Sequence, residues 1–161
     1  MALRNIVIEG DPILRKKCRP VESVDGRIRE ILGDMLETMR DAQGVGIAAP
    51  QVGIMRRMFV AEPEPGRVYY MINPEILETE GSEDGEEGCL SVPGYAGTVQ
   101  RPTFLRIRAT GLSGEEQTLE FHGFDARVML HENDHLDGIL YIDKAQDIHR
   151  IDYDGEEFDE E

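Results

Sequence analysis

In "LHENDHLDG", residues 130 to 138, two histidines stand four positions apart. On a helix that spacing puts His131 and His135 on one side, where both imidazoles can reach one divalent cation, with Glu132 beside them as a proton carrier. Two ligands hold a metal poorly. A hydrolytic centre takes three protein ligands and keeps one position open for water. A third candidate is Cys89 in "EEGCLSVPG", residues 86 to 94. Seven acids lie between Glu75 and Glu87, and no base occurs from Ile72 to Gln100. Negative charge and partial burial both raise a thiol's pKa, so Cys89 is badly placed as a free thiolate nucleophile. A bound dication reverses that balance by deprotonating the sulfur. Spacing alone leaves open whether the sulfur meets the histidines. The competing reading of His131 and His135 is an inward pair satisfied by core hydrogen bonds.

The elements that must position these groups are legible in outline. In "DGRIREILGDMLETMRDAQG", Ile28, Ile31, Leu32, Met35, Leu36 and Met39 recur at helical spacing, with Asp25 as cap and Gly44 near the stop. From residue 56 to 122 short runs such as "RMFVAE", "VYYMINPEI" and "FLRIRATGL", broken by Pro and Gly, read as strands. Leu105, Ile107 and Ala109 alternate with Arg106, Arg108 and Thr110, and "LSGEE" turns the chain into "QTLEFHG", a hairpin with two arginines on its wet face. A second helix is predicted from about Asp125 to His135, closing at Gly138, with "GILYID" resuming as a strand. Phe124, Val128, His131 and His135 step by four, three and four, so they form its inward stripe. The expected class is α+β, a single domain of antiparallel strands packed around a central helix carrying HExxH.

Composition narrows the function. A chain of 161 residues fits one domain with its own core. The expected division is a catalytic domain over 1–150 and an acidic, disordered tail over 151–161, since "DYDGEEFDEE" holds seven acids and no base. The formal net charge of −16 opposes a phosphate backbone, so direct nucleic-acid binding is not expected. No run approaches membrane-spanning length, the start shows no export signal, and only Cys18 and Cys89 are present. The expected setting is cytoplasmic, with no membrane partner. Cys18 lacks a nearby base or metal partner and reads as structural.

Three motifs in order, "GVGIAAPQ" at 44–51, "EGCLS" at 87–91 and "HENDHLDG" at 131–138, make the chain resemble the peptide deformylases over most of its length. The resemblance implies hydrolysis of the N-formyl group from the initiator formyl-methionine of nascent polypeptides, with release of formate. It implies Cys89, His131 and His135 as metal ligands and Glu132 as the proton carrier. It makes the Gln51 side-chain amide and the Leu90 backbone N–H the donors to the oxyanion. Val45 and Gly46, with Gly88 opposite, would contact the substrate backbone, and Val45, Phe124 and Val128 would receive the methionine side chain. The cofactor implied is one divalent metal ion, Fe²⁺ by family precedent, although a Cys and two His also suit Zn²⁺, Ni²⁺ or Co²⁺. Gly44 and Gly46 lack the Lys-Ser/Thr of a phosphate loop. Arg101, the nearest downstream base, is expected to pair with Glu87 and brace the cysteine loop.

Two departures stand out. Leu130 occupies the place before HExxH where many family members carry glutamine, and the chain ends in acids where better-known bacterial members continue into a basic C-terminal helix implicated in ribosome docking. Work near the ribosome, as a monomer and without that helix, is the expectation. The rival readings are a zinc-dependent peptidase, which takes a further His or Glu downstream, and a non-catalytic metal-binding relative.

Overall fold

Asp25 opens the first helix by accepting the Ile28 amide at 3.0 Å on its carboxylate, which satisfies one of the free amides of the first turn. In the computed structural model, which describes residues 2–151, helix α1 spans Gly26–Asp41. The six apolar residues of its stripe are all buried. Gly44 closes it by donating its amide to the Met39 carbonyl at 2.9 Å. The expected tail falls almost wholly on residues 152–161, which lie outside the described residues.

The chain then forms β1 (Gly46–Ala48), a 3-10 turn (Ala49–Val52), β2 (Met58–Glu64), β3 (Arg67–Glu80), β4 (Glu83–Cys89) and β5 (Val92–Arg101). It continues through β6 (Phe104–Thr110), β7 (Glu116–His122), helix α2 (Gly123–His135), a 3-10 turn (Tyr141–Asp143) and β8 (Gln146–Arg150). Two antiparallel sheets result, one of five strands in the order β1-β2-β3-β6-β7 and one of three in the order β4-β5-β8. The predicted hairpin is β6–β7, with Arg106 on Glu78 and Glu120 and Arg108 on Glu75 and Glu116.

Alternation along β2 explains the layers. Phe59 and Ala61 face one way and pack with Ala126, Val128, Met129 and Leu130 of α2. Met58 and Val60 face the other and pack with the stripe of α1. The five-stranded sheet is therefore covered on both faces, by α2 on the inside and by α1 on the outside. The tie of α2 to the three-stranded sheet has a different character: Arg127 and His131 reach Glu87, and Asp134 takes Arg101.

Two expectations need correction. "GILYID" is no strand: the Asp143 carboxylate accepts the Leu140 amide at 3.0 Å and pairs with Arg15 at 2.5 Å, which holds the chain in a 3-10 turn with Tyr141 buried. The α+β class with antiparallel strands is as expected, but its organisation around a helix bearing an HExxH centre is not. The group of side chains able to hold a metal is a Cys–His–His triad whose sulfur comes from β4, not an HExxH motif on one helix.

Candidate metal centre

Cys89 ends β4 at an irregularity in the β4–β5 ladder, where Gly88 still faces Ala96 but Cys89 already faces Val92. Such a break re-aims a side chain. Here it turns the sulfur toward α2, 3.4 Å from His135 Nε2. Donor atoms of Cys89, His131 and His135 all lie within 4.8 Å of one another. A tetrahedral cation with ordinary metal–sulfur and metal–nitrogen bond lengths would hold such a sulfur and nitrogen about 3.5 Å apart, so the donor set fits a divalent ion.

One imidazole is oriented by a carboxylate. Glu87 is buried, and its Oε1 accepts from His131 Nδ1 at 2.9 Å. An acceptor-only group there assigns the proton to Nδ1 and leaves Nε2 free to ligate. Arg101 binds both oxygens of Glu87, Nε to Oε2 at 2.8 Å and Nη2 to Oε1 at 2.9 Å, and its Nη1 reaches Asp134 at 2.7 Å. Arg101 thus pairs as expected. Burial alone would raise the pKa of Glu87, but the bonds from Arg101 and His131 outweigh it and bring it down to about 2. Burial likewise opposes a charge on His131, yet the neighbouring sulfur and carboxylate push its pKa well above the ordinary value. His135, buried beside His131, is pushed well below.

Glu132, next to His131 on α2, is 4% exposed, with no hydrogen-bond partner for Oε1 among the described residues. Burial raises its pKa to about 7, with smaller contributions of both signs from charged neighbours. A carboxyl poised near neutrality can take and return a proton at working pH. Gly46 makes room for it: a Cβ on that residue would stand 2.5 Å from Glu132 Oε2.

Gln51 is held at both ends of its amide. Its oxygen accepts from the Ala48 N–H at 2.9 Å, and its nitrogen donates to Ser91 Oγ at 3.0 Å and lies 3.6 Å from the Cys89 sulfur. The NH₂ end therefore faces the metal donors. Every site residue expected from the sequence except His135 lines one cavity of about 850 Å³. Phe124, expected on the inward stripe of α2, is instead 55% exposed and forms the cavity's rim with Val45, whereas Val128 is buried as expected. Leu90 packs against Gly44, where a Cβ would come within 2.7 Å of its side chain.

Two residues escaped the sequence reading. Ser91, fully buried, anchors Gln51 and donates its amide to the Cys89 sulfur at 3.4 Å. Its signal was its place inside "EGCLS". Arg127 reaches Glu87 at 2.8 Å, and its position one helical turn before His131 was the available clue.

Two helix histidines closed by a strand cysteine, with a buried glutamate and an amide donor at one cavity, define a metal-dependent hydrolase. The chain belongs to the polypeptide deformylase family, whose model matches residues 3–151. A peptide deformylase of Clostridium botulinum (strain Alaska E43 / Type E3) is 53% identical over 145 residues, covering 90% of this chain and 98% of that one. The crystal structure of peptide deformylase from Thermotoga maritima superposes with a TM-score of 0.88 at 40% identity, over 91% of this chain and 99% of that one. A peptide deformylase from Ehrlichia chaffeensis, in complex with actinonin, superposes with a TM-score of 0.87 at 35% identity, over 91% of each chain.

Proposed function

We propose that the chain removes the N-formyl group from the initiator formyl-methionine of nascent polypeptides and releases formate. Family membership supports the reaction, and the observation that carries it to this site is the meeting of Cys89, His131 and His135 with Glu132 and Gln51 at one cavity. A divalent cation held by the three ligands supplies a Lewis acid that brings the pKa of water toward neutrality. Fe²⁺ is the proposed ion on family resemblance.

Glu132 takes the proton of the attacking water and returns it to the departing amine. The Gln51 NH₂ and the Leu90 N–H stabilise the carbonyl oxygen as it gains charge. Val45, Gly46 and Gly88 line the cavity where an extended peptide would lie, and Val45, Phe124 and Val128 offer apolar surface to the methionine side chain. Residues 1–150 act as one catalytic domain. Action on nascent formylated chains supports a cytoplasmic setting near the ribosome; among the described residues no helix is long and apolar enough to cross a membrane.

The test is anaerobic purification with metal analysis and formate release measured on the same sample, using formyl-Met peptides and blocked peptides with internal amide bonds. Formate from the former, with iron bound, is expected. Internal cleavage without formate would overturn the reading, and formate release undiminished in Glu132→Gln would overturn the role given to that carboxylate.

A further inference from the structure

Arg127 lies on α2 one turn before His131, 8% exposed, in a stretch of helix otherwise buried against apolar neighbours. Its guanidinium crosses to the three-stranded sheet. Nη1 donates to Glu87 Oε2 at 2.8 Å and to the Val99 carbonyl at 2.8 Å, and Nη2 donates to the Glu83 carbonyl at 2.9 Å. The guanidinium also lies over Gly85, where a Cβ would stand 2.7 Å from its central carbon. A second cation is not needed to neutralise Glu87, because Arg101 already binds both of its oxygens.

We propose that Arg127 is a positioning residue for His131: by pinning Glu87 Oε2 to the β4–β5 hairpin it fixes Oε1 against the imidazole Nδ1, and so aims Nε2 at the cation. Geometry favours this role over charge balance. Arg101 approaches Glu87 from β5 and holds both carboxylate oxygens from the sheet side. Arg127 comes from α2 itself, so the helix that carries the histidine also carries the brace of the histidine's own partner. The bonds to the Glu83 carbonyl on β4, the strand that ends at Cys89, and to the Val99 carbonyl on β5 hold the guanidinium in register with that hairpin. The inference rests on the reading of Cys89, His131 and His135 as ligands.

The experiment is a double-mutant cycle on the full chain, with Co²⁺ as probe. Affinity is measured by competition with a chromophoric chelator, and the ligand field by the visible cobalt bands. Arg127→Met is expected to weaken cobalt binding about tenfold and to shift the bands, the lower end of what loss of an outer partner of a ligand costs. In a Glu87→Gln background the same substitution is expected to change affinity less than about twofold, because the partner through which it acts is already gone. An equal loss in both backgrounds, the result of a merely structural role, overturns the proposal, as does no loss in either. Should Arg127→Met fail to fold by circular dichroism, Arg127→Lys runs the same cycle; it keeps the charge but not the fork, and an intermediate loss confined to the Glu87 background is expected. A natural chain that binds no cobalt would overturn the ligand reading as well; natural binding with an unaffected variant overturns only the role of Arg127.

Discussion

Glu87 makes the acid stability of this protein calculable at one residue. Its folded pKa is brought from the ordinary carboxylate value of 4.5 to about 2 by its partners. A depressed carboxylate contributes stability that is fully present above the unfolded pKa and lost as pH falls through the folded one. The shift corresponds to about 3 kcal/mol, of which about 2 kcal/mol should already be gone near pH 3. Glu87→Gln removes the titration while keeping the shape, and leaves the buried Arg127 guanidinium without its counter-charge and Arg101 with Asp134 alone, so the variant is less stable at neutral pH. Urea unfolding of metal-free protein, natural and variant, between about pH 6 and 2 is the assay; chelation keeps loss of the ion out of the comparison. The gap between the two is expected to narrow by about 3 kcal/mol across that interval, because the natural chain alone loses this contribution. A gap that stays constant as pH falls would refute the reasoning, since Glu87 would then have no depressed pKa to lose.

Gly46→Ala sets a methyl group 2.5 Å from Glu132 Oε2 and should displace that carboxyl, lowering kcat on the order of 10²-fold with little change in melting temperature. A rate within threefold of natural would remove the need for the close approach. Gln51→Ala should cost about 10²–10³ in kcat with KM nearly unchanged, and a pure KM effect would assign the amide to substrate holding instead. Met35→Ala empties a fully buried position on α1 and should destabilise by about 2–5 kcal/mol in denaturant titration without altering metal content.

How much of this was legible in the sequence depended on whether the causes were local. The stripe of α1 and its Asp25 cap are encoded within one stretch of chain, and both lie where spacing puts them. The second helix begins at Gly123, two residues ahead of the expected Asp125, because Gly123 at φ 54° turns the chain sharply out of β7. Strand β4, "EDGEEGC", was not distinguished: acids and glycines are poor strand formers, and its extended form rests on the β5 ladder and on guanidiniums from distant positions. The turn at Tyr141 differs from the expected strand because the Asp143 carboxylate caps the Leu140 amide, and that carboxylate is also met by Arg15 from the far end of the chain, a partner that no local pattern announces. At the site, the acids around Cys89 signalled a cation, yet the approach of its sulfur to His135 is a tertiary fact. Arg127 was passed over because an arginine on a helix ordinarily belongs to the solvent side, and nothing nearby in sequence announces the carbonyls that receive it.

Helix α2 joins two seams of unlike kind, an oily one against the larger sheet and an ionic one against the smaller. Cold weakens the first and acidity the second, so the two halves of the molecule answer to separate stresses. The cysteine arrives from across the ionic seam while both histidines ride the helix, and the grip on the cation therefore depends on the seam that acid loosens.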